Sequence, residues 1–121
     1  MPTQPLEFNV RYVPVASGAS NVAVLDLRGQ LDSLAGEALD HAYEQASQPG
    51  LQALVLNLSE IEYINSSGIT LLLGLIMRTS RADHRLLAYG LNAHYTKIFH
   101  MTRLSDYIGL FPDQAAALSG L

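Results

Sequence analysis

The residues best placed to do chemistry are four in a row, Asn65-Ser66-Ser67-Gly68, standing between an apolar strand pattern and a long apolar helix pattern. A helix start leaves backbone N–H groups without intrahelical partners and carries the positive end of the helix dipole, so an anion there is favoured by ~0.3–1 kcal/mol. In that position the Ser66 hydroxyl is a phosphate acceptor, and Gly68 keeps side-chain bulk low so that a partner's active site can approach it. Ser and Asn are equally the preferred helix caps, so the same residues also read as a cap alone. A phosphorylation site and a plain cap both stand on this segment.

Other chemistries find less support. A nucleophilic Ser66 needs a base, and His41, His84, His94 and His100 supply imidazoles, but no Gly-x-Ser-x-Gly elbow surrounds the serine and no carboxylate is recognisably paired with a histidine. The four histidines read as surface or partly packed residues. No close-spaced His or carboxylate motif suggests a metal, and no Gly-x-Gly-x-x-Gly or Gly-Lys-Ser/Thr loop suggests a phosphate cradle. The expectation is no catalytic residue, no metal and no cofactor.

The elements that must position Ser66 follow from periodicity. Residues 6–13 alternate, with Leu6, Phe8, Val10 and Tyr12 on one face, and read as an edge or hairpin strand. A small-residue loop at 16–20 leads to a more apolar strand at 21–27, which Arg28-Gly29 end. Asp32-Ser33 then offer an N-cap for a helix through Ala35, Ala38, Leu39, Ala42 and Ala46, stopped by Pro49-Gly50. Residues 53–58 form a strand of the buried type, and 59–63 a connection to the motif.

The helix expected over about 67–80 carries Ile69, Leu72, Leu73 and Ile76 as its stripe, with Leu71, Leu75 and Met77 widening it. Leu71 and Leu75 read either as an exposed flank that docks a partner or as packing beneath neighbouring loops. A strand at 85–89, a helix over 93–102, a short strand at 107–111 and an Ala-rich helix capped by Asp113 complete the pattern. Strands alternating with helices predict an α/β fold: a mixed, mostly parallel sheet of about four or five strands with about four helices, its first strand antiparallel.

Composition bounds the rest. A chain of 121 residues fits one domain over 1–121 and can bury a sufficient core without staples. The absence of cysteine excludes a disulfide scaffold and thiolate zinc sites. With no signal-like opening and no apolar run near ~20 residues, no membrane insertion is expected and the address is the cytoplasm. A net charge of −4 with scattered arginines argues against nucleic acid as a partner.

The order of elements, the turn Gly29-Gln30-Leu31-Asp32, and Asn57-Leu58-Ser59 ahead of Ile64-Asn65-Ser66-Ser67-Gly68 together resemble the STAS domain family of anti-sigma factor antagonists. Ala88-Tyr89-Gly90-Leu91-Asn92, Ile98-Phe99 and Thr102-Arg103-Leu104 continue the likeness over nearly the whole chain. The resemblance implies a switch: an anti-sigma factor that is also a serine kinase binds the unphosphorylated protein and releases it once the motif's first serine, here Ser66, carries phosphate. Asp32, Asn65, Ser67, Gly68, Leu71 and Leu75 are then the expected partner-binding residues, Asp32 reading equally as a helix cap. Asn65 stands where the family usually has aspartate. That departure suits an alternative, a constitutive STAS subunit of a signalling or lipid-transport complex in which Ser66 is only a cap. A homodimer or a larger signalling complex fits either reading.

Overall fold

A computed structural model describes residues 4–14 and 21–121, so the expected loop at 16–20 lies outside the described residues. Strands β1 (Glu7–Val13), β2 (Val22–Leu31), β3 (Ala53–Ile64), β4 (Arg85–Tyr89) and β5 (Gly109–Phe111) pair in chain order into one five-stranded sheet. β1 runs antiparallel to β2, and the other neighbours are parallel. Helices α1 (Gly36–Ala46), α2 (Ser66–Arg81) and α3 (Ala93–Met101) make the crossovers, and a short α4 (Gln114–Leu118) follows β5. The α/β class, the mixed sheet and the antiparallel first strand are as the sequence predicts.

Crossovers that are right-handed and all step in one direction put their helices on one side of the sheet. The packing agrees: Leu25, Leu27, Leu54 and Leu56 from the strands meet Leu39 and Ala42 of α1, Leu72 and Leu75 of α2, and Phe99 of α3. Full burial of such side chains contributes ~1.5–3 kcal/mol each. The opposite face alternates with the first, as a pleat requires. There Val22, Val24, Val55 and Leu87 are covered by Ala117 and Leu118 of α4.

Two strands run further than the sequence suggests. β2 continues through Gly29, whose φ of +100° accompanies a shift in register against β3, and reaches Leu31. β3 continues through 59–63, the stretch expected to be a connection, to Ile64, and its Ile61 and Ile64 are buried while Ser59, Glu60, Glu62 and Tyr63 are exposed. The bulges between Asp26 and Arg28 and between Gly29 and Gln30 break strict alternation, and alternation is the signal by which a strand is read.

The open part of the second face is held by polar contacts. Asp26 accepts from Arg11 Nε at 2.6 Å and Nη2 at 2.9 Å and from Asn57 Nδ2 at 2.8 Å. Arg11 Nη2 also donates to Gln114 Oε1 at 2.9 Å, which ties β1 to α4 across the sheet. The Arg11 hydrogen bond holds the Asp26 carboxyl at a pKa of about 2, below the ordinary 3.8 and against the opposing effect of burial. A depressed carboxyl stabilises the fold above its unfolded pKa and loses that contribution as pH falls from about 4 towards 2. Asp26→Asn is expected to lower stability by about 1–2 kcal/mol at neutral pH, discounted for solvent screening. Urea midpoints of the two proteins should converge in acid; a gap independent of pH would show that the charge is not what matters.

Candidate functional site

β2 and β3 end side by side, with Leu31 opposite Ile64, and this places the segment after each strand at one edge of the sheet. The Asn65 N–H donates to the Leu31 carbonyl at 3.2 Å, and its side-chain Oδ1 accepts from the Gly68 N–H at 3.0 Å as the N-cap of α2. Ser66 is the first residue of the helix and is exposed; Ser67 is half-buried and Gly68 buried. Helix geometry leaves the amides of Ser66 and Ser67 without intrahelical acceptors, available to solvent or to an anion.

Gly68 has a steric reason beyond low bulk. A β-carbon on residue 68 would overlap the Leu31 carbonyl oxygen and lie 2.7 Å from its carbon. The first turn of α2 thus rests directly on the end of β2, and only glycine permits the approach.

Asp32 immediately follows Leu31 and so sits at the same edge. It does not cap α1, whose N-cap is Ala35 without a side-chain hydrogen bond. Instead Asp32 Oδ1 accepts from the Leu34 N–H at 3.0 Å and its carbonyl accepts from the Ala35 N–H at 3.1 Å, a turn closed by its own side chain. Leu71 is half-buried and borders this loop, since a β-carbon on Gly36 would meet its Cδ2 at 3.4 Å.

Leu75 is a correction. It is 2% exposed and belongs to the core, so it cannot lie on an exposed flank, whereas Leu73, expected in the buried stripe, is 43% exposed. The buried line of α2 is Gly68, Leu72, Leu75 and Thr79. Thr79 escaped the hydropathy reading because its hydroxyl is satisfied inside the helix, donating to the carbonyls of Leu75 and Ile76 at 3.0 Å.

Leu34 and Tyr63 were not singled out by the sequence. Leu34 is 81% exposed in the loop after Asp32, and Tyr63, three residues ahead of Ser66, is 46% exposed. Leu34 could have been noticed as an apolar residue directly after a polar turn.

Among the described residues no histidine hydrogen-bonds Ser66: His84 Nδ1 is paired with the Tyr43 hydroxyl at 2.9 Å and His100 Nδ1 with Ser105 Oγ at 2.8 Å. Among the same residues no group of three or more metal-ligating side chains occurs, and no helix is long and apolar enough to cross a membrane.

Comparison with known proteins places this geometry. The sequence profile of the family described as "Mlab, STAS domain" matches residues 16–112. A curated relative, the anti-sigma-B factor antagonist of Staphylococcus aureus (strain NCTC 8325 / PS 47), is 26% identical over 78 residues, which cover 64% of this chain and 72% of that protein. An anti-sigma factor antagonist from Mycobacterium paratuberculosis superposes with a TM-score of 0.74 at 21% identity, over 93% of this chain and 91% of its own. The anti-sigma factor antagonist SpoIIAA in its unphosphorylated form superposes with a TM-score of 0.68 at 21% identity, over 91% and 92% of the two chains. Its phosphorylated form, from Bacillus, gives 0.65 at 21% identity, over 91% and 96%. The profile spans most of the chain, and the five-stranded mixed sheet with its helices is the fold of these structures. This chain belongs to the STAS domain family.

Proposed function

We propose that this chain is an anti-sigma factor antagonist that works in the cytoplasm by binding, not by catalysis. Its partner is an anti-sigma factor that is also a serine kinase, and phosphorylation of Ser66 ends the association. The observation that carries the reading is the exposure of Ser66 as the first residue of α2, where a kinase can reach the hydroxyl and the helix start favours the phosphate formed. Relatives named as anti-sigma factor antagonists, one solved with and without phosphate, support it.

Leu34, Leu71 and the Asp32 turn border the serine's edge of the sheet and supply the contact surface. A phosphate there adds close to two negative charges at a contact that must otherwise be desolvated, which turns a docking surface into a repelled one. With a net charge of −4 and its seven basic residues scattered along the sequence, the chain offers little for nucleic acid to bind.

The test is the intact mass of the chain recovered from its own cells with phosphatase inhibitors, beside a Ser66→Ala copy, with fragmentation to place any phosphate. One phosphate on Ser66 that the variant lacks is the expected result. Unmodified protein through growth, starvation and stress would remove the switch.

Asn65 favours a second reading. Its amide caps α2 through Oδ1 but brings no negative charge beside the serine. A constitutive subunit of a signalling or lipid-transport complex needs only that cap, and it would co-purify with its partner whether or not Ser66 is replaced.

A further inference from the structure

We infer that the far half of α2 and the start of β4 form a second docking groove, separate from the Ser66 edge, for an acidic amphipathic helix of a partner protein. The groove measures about 870 Å³. Its apolar walls are Leu73 and Met77 of α2, Leu86 of β4, and Tyr107 beyond α3. Leu73, Met77 and Tyr107 are 43%, 54% and 65% exposed, three large apolar side chains in solvent around one depression. Leu73, Met77 and Arg81 follow one another at intervals of four along α2, so the open wall is a helical ridge about 12 Å long, fit to lie beside two turns of another helix.

Charge selects the occupant. Arg81 and Arg85 line the groove, and among the described residues neither makes an ion pair, although Arg11, Arg28 and Arg78 are engaged by Asp26, Glu7 and Asp40. The Arg85 side chain donates to the Gly120 carbonyl at 3.3 Å. Among the described residues Asp83 is the one carboxylate lining the groove, against two guanidinium groups. In a chain of net charge −4, two unengaged arginines beside an apolar trough favour a helix with leucine-like residues on one stripe and carboxylates flanking it. Arg81 stands about 22 Å along α2 from Ser66, beyond reach of a phosphate's screened field in physiological salt, so this contact persists when the serine edge is switched.

The full chain, labelled for amide NMR, is titrated with a designed peptide of about 18 residues carrying one leucine stripe flanked by glutamates, and with its counterpart bearing lysines. The glutamate peptide is expected to bind at least about tenfold more tightly, shifting amides of the second half of α2, residues 81–87 and Tyr107. Arg81→Glu with Arg85→Glu should reverse the preference, and Met77→Ser should weaken both peptides, each with an unchanged unfolding midpoint. Equal binding of the two peptides overturns the inference, as do shifts centred on Leu34 and Ser66. A chain that is dimeric through this groove, or one that takes dodecanoate there and neither peptide, overturns it in favour of a second copy or a small amphiphile.

Discussion

Gly68→Ala is expected to cost the fold about 3 kcal/mol or more. The added methyl overlaps the Leu31 carbonyl, which is backbone and cannot turn aside as a side chain does. To make room, the end of β2 and the start of α2 must separate, which also strains the Asn65 N–H bond to Leu31 and the cap at the Gly68 N–H. A domain of this size has roughly 5–15 kcal/mol in hand, so the loss is a large share. In urea the midpoint should fall by roughly 1–3 M with the slope unchanged. Gly74→Ala on the same helix is the control: nothing lies within 4 Å of a β-carbon there, and alanine should stabilise by up to ~1 kcal/mol. Equal midpoints for the two variants would mean that α2 does not rest on β2 as described.

Ser66→Glu should act on binding and stability in opposite directions. A carboxylate at the first helical position faces the positive end of the dipole and adds ~0.3–1 kcal/mol to the fold. The same charge inside a docked interface is left desolvated and unpaired, at a cost of ~2–5 kcal/mol, or roughly thirty to several thousandfold in affinity for the partner that co-purifies with the chain. Ser66→Ala should keep the affinity within a few-fold and leave stability nearly unchanged, because Asn65 and not Ser66 caps the helix. Calorimetry on the three proteins reads both quantities. A glutamate variant that binds as wild type does would detach Ser66 from the interface, whatever phosphate it carries in the cell.

Much of the site was legible because it depends on local chemistry. Asp113 as cap of α4 and a cap at the start of α2 are side chain to backbone contacts within three residues, and composition announces them; but it left Asn65 and Ser66 both open as the cap of α2, and the structure gives that place to Asn65, with Ser66 already inside the helix. The phase of α2 was not legible. Leu71, Leu72, Leu73, Leu75, Ile76 and Met77 are apolar around most of the helix, so hydropathy did not mark the centre of the buried arc, and Leu73 and Leu75 were exchanged. Asp32 shows a related ambiguity: the residue types that cap helices also close turns, and the choice depended on how far β2 ran past Gly29. The approach of Gly68 to Leu31 joins residues far apart in the chain, and no local pattern encodes it.

Strand order carries a consequence for how the chain comes to be folded. Every strand lies beside the one made just before it, and none is inserted between two earlier ones. As the chain leaves the ribosome, each new strand can therefore add to a growing edge without reopening what has already formed, and closures span one crossover at a time. Of the elements described, β5 and the α4 that follows it come after the rest of the sheet, and Gln114 of α4 is engaged by the Arg11 guanidinium of β1. β1 is thus fastened to α4 only after the strands between them have paired.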